Sequence, residues 1–292
     1  MEFKIYDKGL YLETPKDFIP KHIFDCGQCF RWNENKDGSY TGVVNSKVYK
    51  VYEKNGNVYF EGADKNDISY LTNYFDLNRD YSLIKNHLSE TDDVLKEAIK
   101  CGEGIRILNQ DPFETTISFI ISARNSIPSI KKTVEKISKK WGDKIVFEGK
   151  EYYSFPTPSQ LSKASEEELR ECGCSFRAPY IVSTTKEIAE GEKDLNYIKS
   201  LDTDDASKQL TEFKGIGIKV ADCILLFSMG KLDAFPVDVW IQRIMEHFYV
   251  SEKTSLKKMR EYAREKFKEN AGIAQQYLFY YARDFKGRDG FK

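Results

Sequence analysis

The hydrophobic period of the chain switches once, near Arg79, and no other feature constrains its fold as tightly. Before that point, aromatic and β-branched residues form short alternating runs at 29–32, 40–44, 48–52 and 58–61. Turn-forming residues separate them, at 33–39, at Asn45-Ser46 and at Asn55-Gly56-Asn57. Short alternation punctuated by Asn-Gly predicts antiparallel strands joined as hairpins, hence a small curved sheet. Beyond Arg79, apolar residues recur at spacings of three and four in 81–88, 93–99, 113–123, 127–141, 158–171, 178–190 and 206–213. The same spacing continues through 219–229, 239–248, 255–269 and 273–285. One apolar stripe per segment predicts amphipathic helices packed on one another. The stretch 146–156 breaks the pattern and reads as a loop or short hairpin, and no fixed-period repeat or low-complexity segment is present. The expected fold class is α+β. An N-terminal, mainly antiparallel β domain with flanking helices covers 1–105, and a larger all-α domain covers 106–292.

A chain of 292 residues is long enough for two such units. Its 40% hydrophobic and 31% charged residues fit a soluble globular protein. The 45 Lys+Arg nearly balance 46 Asp+Glu, so a polyanionic partner would have to be held by local clusters of cations. The longest mainly apolar stretches, 117–121 and 223–229, are too short to span a bilayer, and the N-terminus lacks the basic start and apolar run of a signal peptide. The expectation is a cytoplasmic protein (nucleoid-associated in a prokaryote, nuclear in a eukaryote) with no membrane partner. Cys26, Cys29, Cys101, Cys172, Cys174 and Cys223 fit that setting as free thiols. Cys26-Gly27-Gln28-Cys29 has C-x-x-C spacing, but Cys172-Gly173-Cys174 does not supply a matching second pair for zinc. Cys29 also runs into an extended Phe30-Arg31-Trp32 rather than opening a helix, as a redox motif would.

The stretch 210–247 carries the most chemistry. A helix over 206–213 breaks at Lys214-Gly215-Ile216-Gly217, and a second helix begins at once. Two glycines two apart permit positive φ and leave backbone N–H groups uncovered. Such amides at a helix start can bind a phosphate; alone, the pattern equally fits an ordinary helix-to-helix turn. Lys219 lies in the first turn of the second helix, beside an apolar face of Val220, Cys223, Ile224 and Phe227. The positive end of the helix and the apolar surface both favour a neutral, nucleophilic amine. Asp238 follows Pro236-Val237 and precedes the next helix, where it reads as an N-cap.

Together, the pattern G-I-G-x-K-V-A-D-C and the following P-V-D-V resemble the helix-hairpin-helix DNA glycosylases, most closely the 8-oxoguanine DNA glycosylase/lyase branch. The resemblance implies that the α domain is a helix-hairpin-helix glycosylase domain. It implies that Lys219 attacks C1′ of the damaged nucleoside to form a Schiff base, and that Asp238 stabilises the cationic sugar and assists proton transfer. Strand cleavage by β-elimination follows. Lys214, Gly215 and Gly217 would grip the DNA backbone. Gly27-Gln28-Cys29-Phe30-Arg31-Trp32 matches the branch's G-Q-x-F-R-W segment, in which the glycine carbonyl accepts from N7–H, a donor that oxidised guanine has and guanine lacks. By the same resemblance Gln275 meets the Watson–Crick edge of the extruded base, while Phe279 and Cys223 cover its two faces. Without the motifs, Phe279 and Cys223 look like core residues and Gln275 like a surface amide.

Further residues fall on segments that contact the gap left in the duplex. Asn125 matches an asparagine-rich turn after Gln110-Asp111-Pro112, and Arg124 replaces an asparagine there. Phe176 matches an aromatic wedge and Arg177 a reader of the partner base. Ser129 stands where eukaryotic members carry a cytosine-reading arginine, so opposite-base preference is expected to be relaxed. Trp240 replaces a histidine at a phosphate contact. The backbone carbonyls of Thr211, Phe213 and Ile216 correspond to a cation site in the hairpin, which could take a structural monovalent or divalent ion. No cofactor is required by this chemistry, and with no cysteine after Cys223 no iron–sulfur cluster is expected. The expected partner is double-stranded DNA containing oxidised guanine, bound by a monomer. The alternatives are a glycosylase for other bases, against which Lys219, Gly27, Gln275 and Phe279 argue, and a non-catalytic DNA clamp built on the hairpin.

Overall fold

The computed structural model describes residues 1–251 and 253–285. Six strands form one antiparallel sheet: β1 (Phe3–Tyr6), β2 (Gly9–Leu12), β3 (Trp32–Glu34), β4 (Tyr40–Val44), β5 (Lys47–Lys54) and β6 (Asn57–Glu61). Their spatial order is β1-β2-β6-β5-β4-β3. Strand alternation buries Leu10, Trp32, Tyr40, Tyr49, Val51 and Phe60, and α1 (Pro20–Asp25) and α2 (Ile68–Tyr74) help cover them. Phe24 of α1 stacks on Trp32 with ring centroids 4.1 Å apart. Gly42, opposite Trp32 in the ladder, makes room for that indole: a Cβ there would lie 2.4 Å from it.

The remaining helices build a second core. α3 (Tyr81–Thr91) and α4 (Asp93–Cys101) precede α5 (Pro112–Ser122) and α6 (Ile127–Trp141). A short hairpin follows, β7 (Lys144–Phe147) with β8 (Lys150–Tyr153), as anticipated for 146–156. The chain continues through α7 (Pro158–Leu161), α8 (Glu166–Cys172), α9 (Ala178–Ala189), α10 (Leu195–Ser200) and α11 (Thr203–Thr211). It then forms α12 (Ile218–Ser228), α13 (Val239–Phe248), α14 (Leu256–Phe267) and α15 (Ala271–Phe285). Nearly every residue of α12 is buried, and its one buried carboxylate, Asp222, is held by a two-pronged pair with Arg260 of α14 at 2.6 and 2.8 Å. Among the described residues, no helix is long and apolar enough to cross a membrane.

Two of the predicted segments take a different form. The segment 158–171 is not one helix but two, because Ser165 restarts it: its hydroxyl accepts from the Glu168 N–H while the Glu168 carboxylate accepts from the Ser165 N–H. The run 29–32 is not a strand until Trp32. Cys29 and Phe30 are instead buried in an irregular turn. Its anchor is Gln28, fully buried, which donates to the carbonyls of Ile23 (3.0 Å) and Arg106 (2.8 Å) and accepts from the Leu108 N–H (2.9 Å). Gln110 closes the circuit, donating its side chain to the Gln28 carbonyl (2.7 Å) and its N–H to the Phe227 carbonyl of α12 (2.9 Å). The Gly27 turn is thereby tied to the helix that carries Lys219.

Candidate active site

The α11–α12 connection is a tight turn in which only one glycine uses its freedom. Gly215 has φ +83°, and a Cβ on it would lie 2.5 Å from the Tyr180 ring. Gly217 is the N-cap of α12 at φ −92°, with nothing among the described residues within 4 Å of where a Cβ would stand. The first N–H groups of α12 therefore open toward solvent, and Lys214, Gly215 and Gly217 are exposed. Gly215→Ala is expected to lower stability by about 1–2 kcal/mol through the left-handed backbone alone, more if Tyr180 cannot yield. Paired urea unfolding and duplex-binding titrations check this: both should weaken, and an unchanged unfolding midpoint would contradict it.

From this start α12 directs Lys219, half-buried, into the interior, with Nζ 5.6 Å from the Phe119 ring centroid. One turn on, Cys223 is buried, and burial pushes its thiol up to about 11 despite the Lys219 charge. The neutral thiol is a wall, not a nucleophile. Asp238 caps α13: its Oδ1 accepts from the N–H groups of Trp240 (3.0 Å) and Ile241 (2.9 Å). Burial holds its carboxyl above the usual range, opposed by the Ile241 N–H and by Lys219. Gln275 of α15 is buried and donates to the Pro236 carbonyl at 3.2 Å. Phe279 lies one turn further, its ring against Gly27, where a Cβ would approach it to 3.0 Å. Gly27 itself has φ +82°, so a side chain there would meet both a strained backbone and the ring.

These six residues line one recess of about 60 Å³, together with Phe119, Phe227, Pro236 and Gln276. It adjoins a broader cleft of about 510 Å³ that shares Gly27, Lys219, Asp238 and Phe279 and reaches Arg124, Asn125 and Trp240. Residues more than 200 positions apart in sequence thus converge on one opening.

The other predicted contacts divide. Phe176 is 49% exposed, as a wedge requires, with the Arg177 guanidinium 4.4 Å from its ring centroid. Arg177 does not fit the expected role of a base reader. It is buried, and it donates to the carbonyls of Ala123 (2.8 Å from Nε), Arg124 (3.2 Å) and Cys174 (3.3 Å). Its donors hold the loop after α5 instead, where Arg124 sits at φ +52°. Asn125 is likewise turned inward, donating to the Ile121 carbonyl at 3.2 Å. Trp240 lies beside the Arg243 guanidinium, 5.3 Å from its ring centroid. In the hairpin, the Phe213 carbonyl accepts from the Ile216 N–H at 3.2 Å, which draws the peptides of Phe213 and Ile216 into one loop. Cys26 and Cys29 are buried, and burial pushes the Cys26 thiol up to about 12, which disfavours the thiolate that redox or metal chemistry at a C-x-x-C needs. No group of three or more His, Cys, Asp or Glu among the described residues is placed to hold a metal.

Sequence reasoning missed Gln276, which lines the recess beside Gln275, and Arg283, which donates to the Asp25 carbonyl at 2.8 Å and joins α15 to the Gly27 turn. A helical wheel places Arg283 one turn beyond Phe279, but nothing in the sequence indicates which carbonyl it meets.

The family model described as the N-terminal domain of 8-oxoguanine DNA glycosylase matches residues 11–116. That of the HhH-GPD superfamily base excision DNA repair protein matches residues 117–269. A probable N-glycosylase/DNA lyase of Methanothermobacter thermautotrophicus is 38% identical over 72% of this chain and 72% of its own length. The N-glycosylase/DNA lyase of Arabidopsis thaliana is 30% identical over 88% of this chain and 75% of its own. Among solved structures, the Clostridium acetobutylicum 8-oxoguanine glycosylase/lyase, in complex with double-stranded DNA containing cytosine opposite 8-oxoguanine, superposes with a TM-score of 0.95 at 46% identity. That alignment covers 98% of this chain and 100% of the other.

Proposed function

The chain belongs to the 8-oxoguanine DNA glycosylase family of helix-hairpin-helix base excision repair proteins, and from that membership we propose how its own residues carry out the reaction. It is an N-glycosylase/DNA lyase that excises 8-oxoguanine from double-stranded DNA. The observation that carries the assignment of roles is the convergence of Lys219 and Asp238 on one recess walled by Gly27, Cys223, Gln275 and Phe279.

The phosphate backbone rests on the uncovered amides of the hairpin around Gly215 and Gly217, with Lys214 beside it. Phe176 enters the stack as the target nucleotide leaves it. The recess alone is small for a ring ligand, so the base enters as the half-buried Phe279 ring turns away from Gly27. The base then lies between Phe279 and Cys223, with its N7–H on the Gly27 carbonyl and Gln275 at its Watson–Crick edge.

Asp238 accepts a proton from Lys219 as Nζ closes on C1′. The C1′–N9 bond breaks with its electron pair on the base, and a proton passes back to the departing 8-oxoguanine. With its proton passed to the base, Asp238 is again a carboxylate and stabilises the positive charge that remains on the sugar in a partly desolvated site. The C1′–O4′ bond then opens, O4′ taking a proton from the secondary ammonium at Nζ, which leaves a protonated Schiff base between C1′ and Nζ. Loss of a C2′ proton then expels the 3′ phosphate and breaks the strand. The carbonyls of Thr211, at the end of α11, and of Phe213 and Ile216, in the turn that follows, are neutral oxygens of the kind a hard cation takes. Such an ion would add positive charge near the DNA phosphate, and no chemical step passes through it.

The test is single-turnover release of free base, with strand nicking, from duplexes carrying 8-oxoguanine opposite each of the four bases. Ser129 lacks a guanidinium, and the Arg177 guanidinium is committed to backbone carbonyls. Rates should therefore differ by less than about tenfold across partners, because a bidentate contact worth ~1–3 kcal/mol of discrimination is missing. A strong cytosine preference would contradict the proposed relaxation. Failure to release 8-oxoguanine opposite any base would contradict the function itself.

A further inference from the structure

On the reading that the recess holds the everted base, we infer that Gln276 is a second specificity-determining residue, whose side-chain carbonyl accepts a hydrogen bond from the donor edge of a guanine-type base. Gln276 is 2% exposed and lines the recess with Lys219, Asp238, Gln275 and Phe279. Its Nε2 donates to the Gln275 Oε1 at 2.7 Å, and the Gln275 Nε2 in turn donates to the Pro236 carbonyl at 3.2 Å. This chain of amides fixes both side chains. It also leaves the Gln276 Oε1, fully buried, without a hydrogen-bond partner among the described residues.

A buried carbonyl oxygen without a donor is costly, and native structures keep few of them. One facing a recess is satisfied when a ligand brings the donor. The guanine edge carries adjacent donors, N1–H and the N2 amine, next to the O6 acceptor. One N–H of the Gln275 amide goes to Pro236, so its second is available for O6, while the Gln276 carbonyl takes N1–H or N2–H. An adenine edge reverses this order: its N1 acceptor would face the Gln276 oxygen with no proton between them. A site built to receive a donor rejects a ligand lacking one more strongly than apolar contact could. Gly27 would distinguish the oxidised from the intact imidazole ring, and the amide pair would distinguish guanine from adenine.

The test compares wild type, Gln276→Met and Gln276→Leu, which keep side-chain bulk but lose the amide carbonyl and its NH2 together. Single-turnover excision of 8-oxoguanine and of 8-oxoadenine is measured in otherwise identical duplexes. Each rate is expressed relative to β-elimination at a preformed abasic site, which presents no base. The 8-oxoguanine ratio is expected to fall by roughly 10- to 100-fold while the 8-oxoadenine ratio holds or rises. Equal losses on both bases would mean that Gln276 only supports the fold, and an unchanged 8-oxoguanine ratio would mean that it reads nothing; either overturns the inference. Gln275→Ala and Phe279→Ala run in parallel. If these also excise 8-oxoguanine at the wild-type ratio, the recess is not the base site, and the wider reading fails rather than this one alone.

Discussion

Lys219→Gln is expected to lower 8-oxoguanine release by at least about 10³-fold, equivalent to ~4 kcal/mol of barrier, and to abolish cleavage at abasic sites. Glutamine retains much of the length of the side chain and its hydrogen bonding but cannot form an imine. The effect should be confined to chemistry. A cation in the first turn of α12 faces the positive end of the helix but offsets the Asp238 carboxylate, so the two effects of its removal oppose each other and stability should change by no more than ~1 kcal/mol. Duplex affinity and thermal midpoint should remain near wild type while turnover is lost. A variant that is inactive because it is unfolded would show all three falling together.

Asp238→Asn is the second large effect, and it should raise stability at neutral pH while it lowers activity. Excision should drop by roughly 10²- to 10⁴-fold, since an amide neither accepts a proton nor offsets the positive charge of the sugar. Asparagine caps helices about as well as aspartate, so the bonds to Trp240 and Ile241 can persist. Burial is the largest influence on the Asp238 carboxyl and raises it above its unfolded value, outweighing the α13 amides and Lys219. The unfolded chain therefore ionises this group at lower pH than the folded protein does. Its contribution to stability is full below the unfolded value and is lost as pH rises through the raised folded value. At neutral pH the wild type carries that penalty and the variant does not. Thermal midpoints measured from acid to neutral pH should diverge in favour of Asp238→Asn as pH rises. Convergence or reversal would show that the carboxylate is better solvated than its position implies, or that its pairing with Lys219 outweighs its burial. A catalytic group that costs stability is the ordinary compromise at an active site.

The same two residues show how far the sequence could be read. The change of period at Arg79 marks the passage from sheet to helices because long amphipathic segments such as 127–141 impose 3.6-residue spacing on their apolar faces. Segments of six or seven residues, α1, α2 and α10, have too few turns to establish a period. β1 and β2 are four residues each, and β1 is largely exposed, so alternation has little room to show. At the site, the capping role of Asp238 was legible from Pro236-Val237-Asp238 before a helix. Its approach to Lys219 across the recess, by contrast, depends on how α13 packs on α15, which local pattern does not encode. Gly27, Gln275 and Phe279 were placed by resemblance and assembled by the fold. Arg177 shows the limit of resemblance, since whether an arginine reads a base or secures a loop depends on the carbonyls within its reach, here those of Ala123, Arg124 and Cys174. Gln276 gave no sign of its own, because a buried amide and a surface amide look alike in a helix.

The claim on which everything else depends is that the Lys219 nitrogen becomes covalently joined to C1′. Borohydride reduction during reaction with an 8-oxoguanine duplex, followed by proteolysis and mass analysis of the cross-linked peptide, tests it directly. A single adduct on the peptide containing Lys219, absent from Lys219→Gln, is the predicted result. An adduct on another amine, or base release by the wild type with no adduct, would contradict the account.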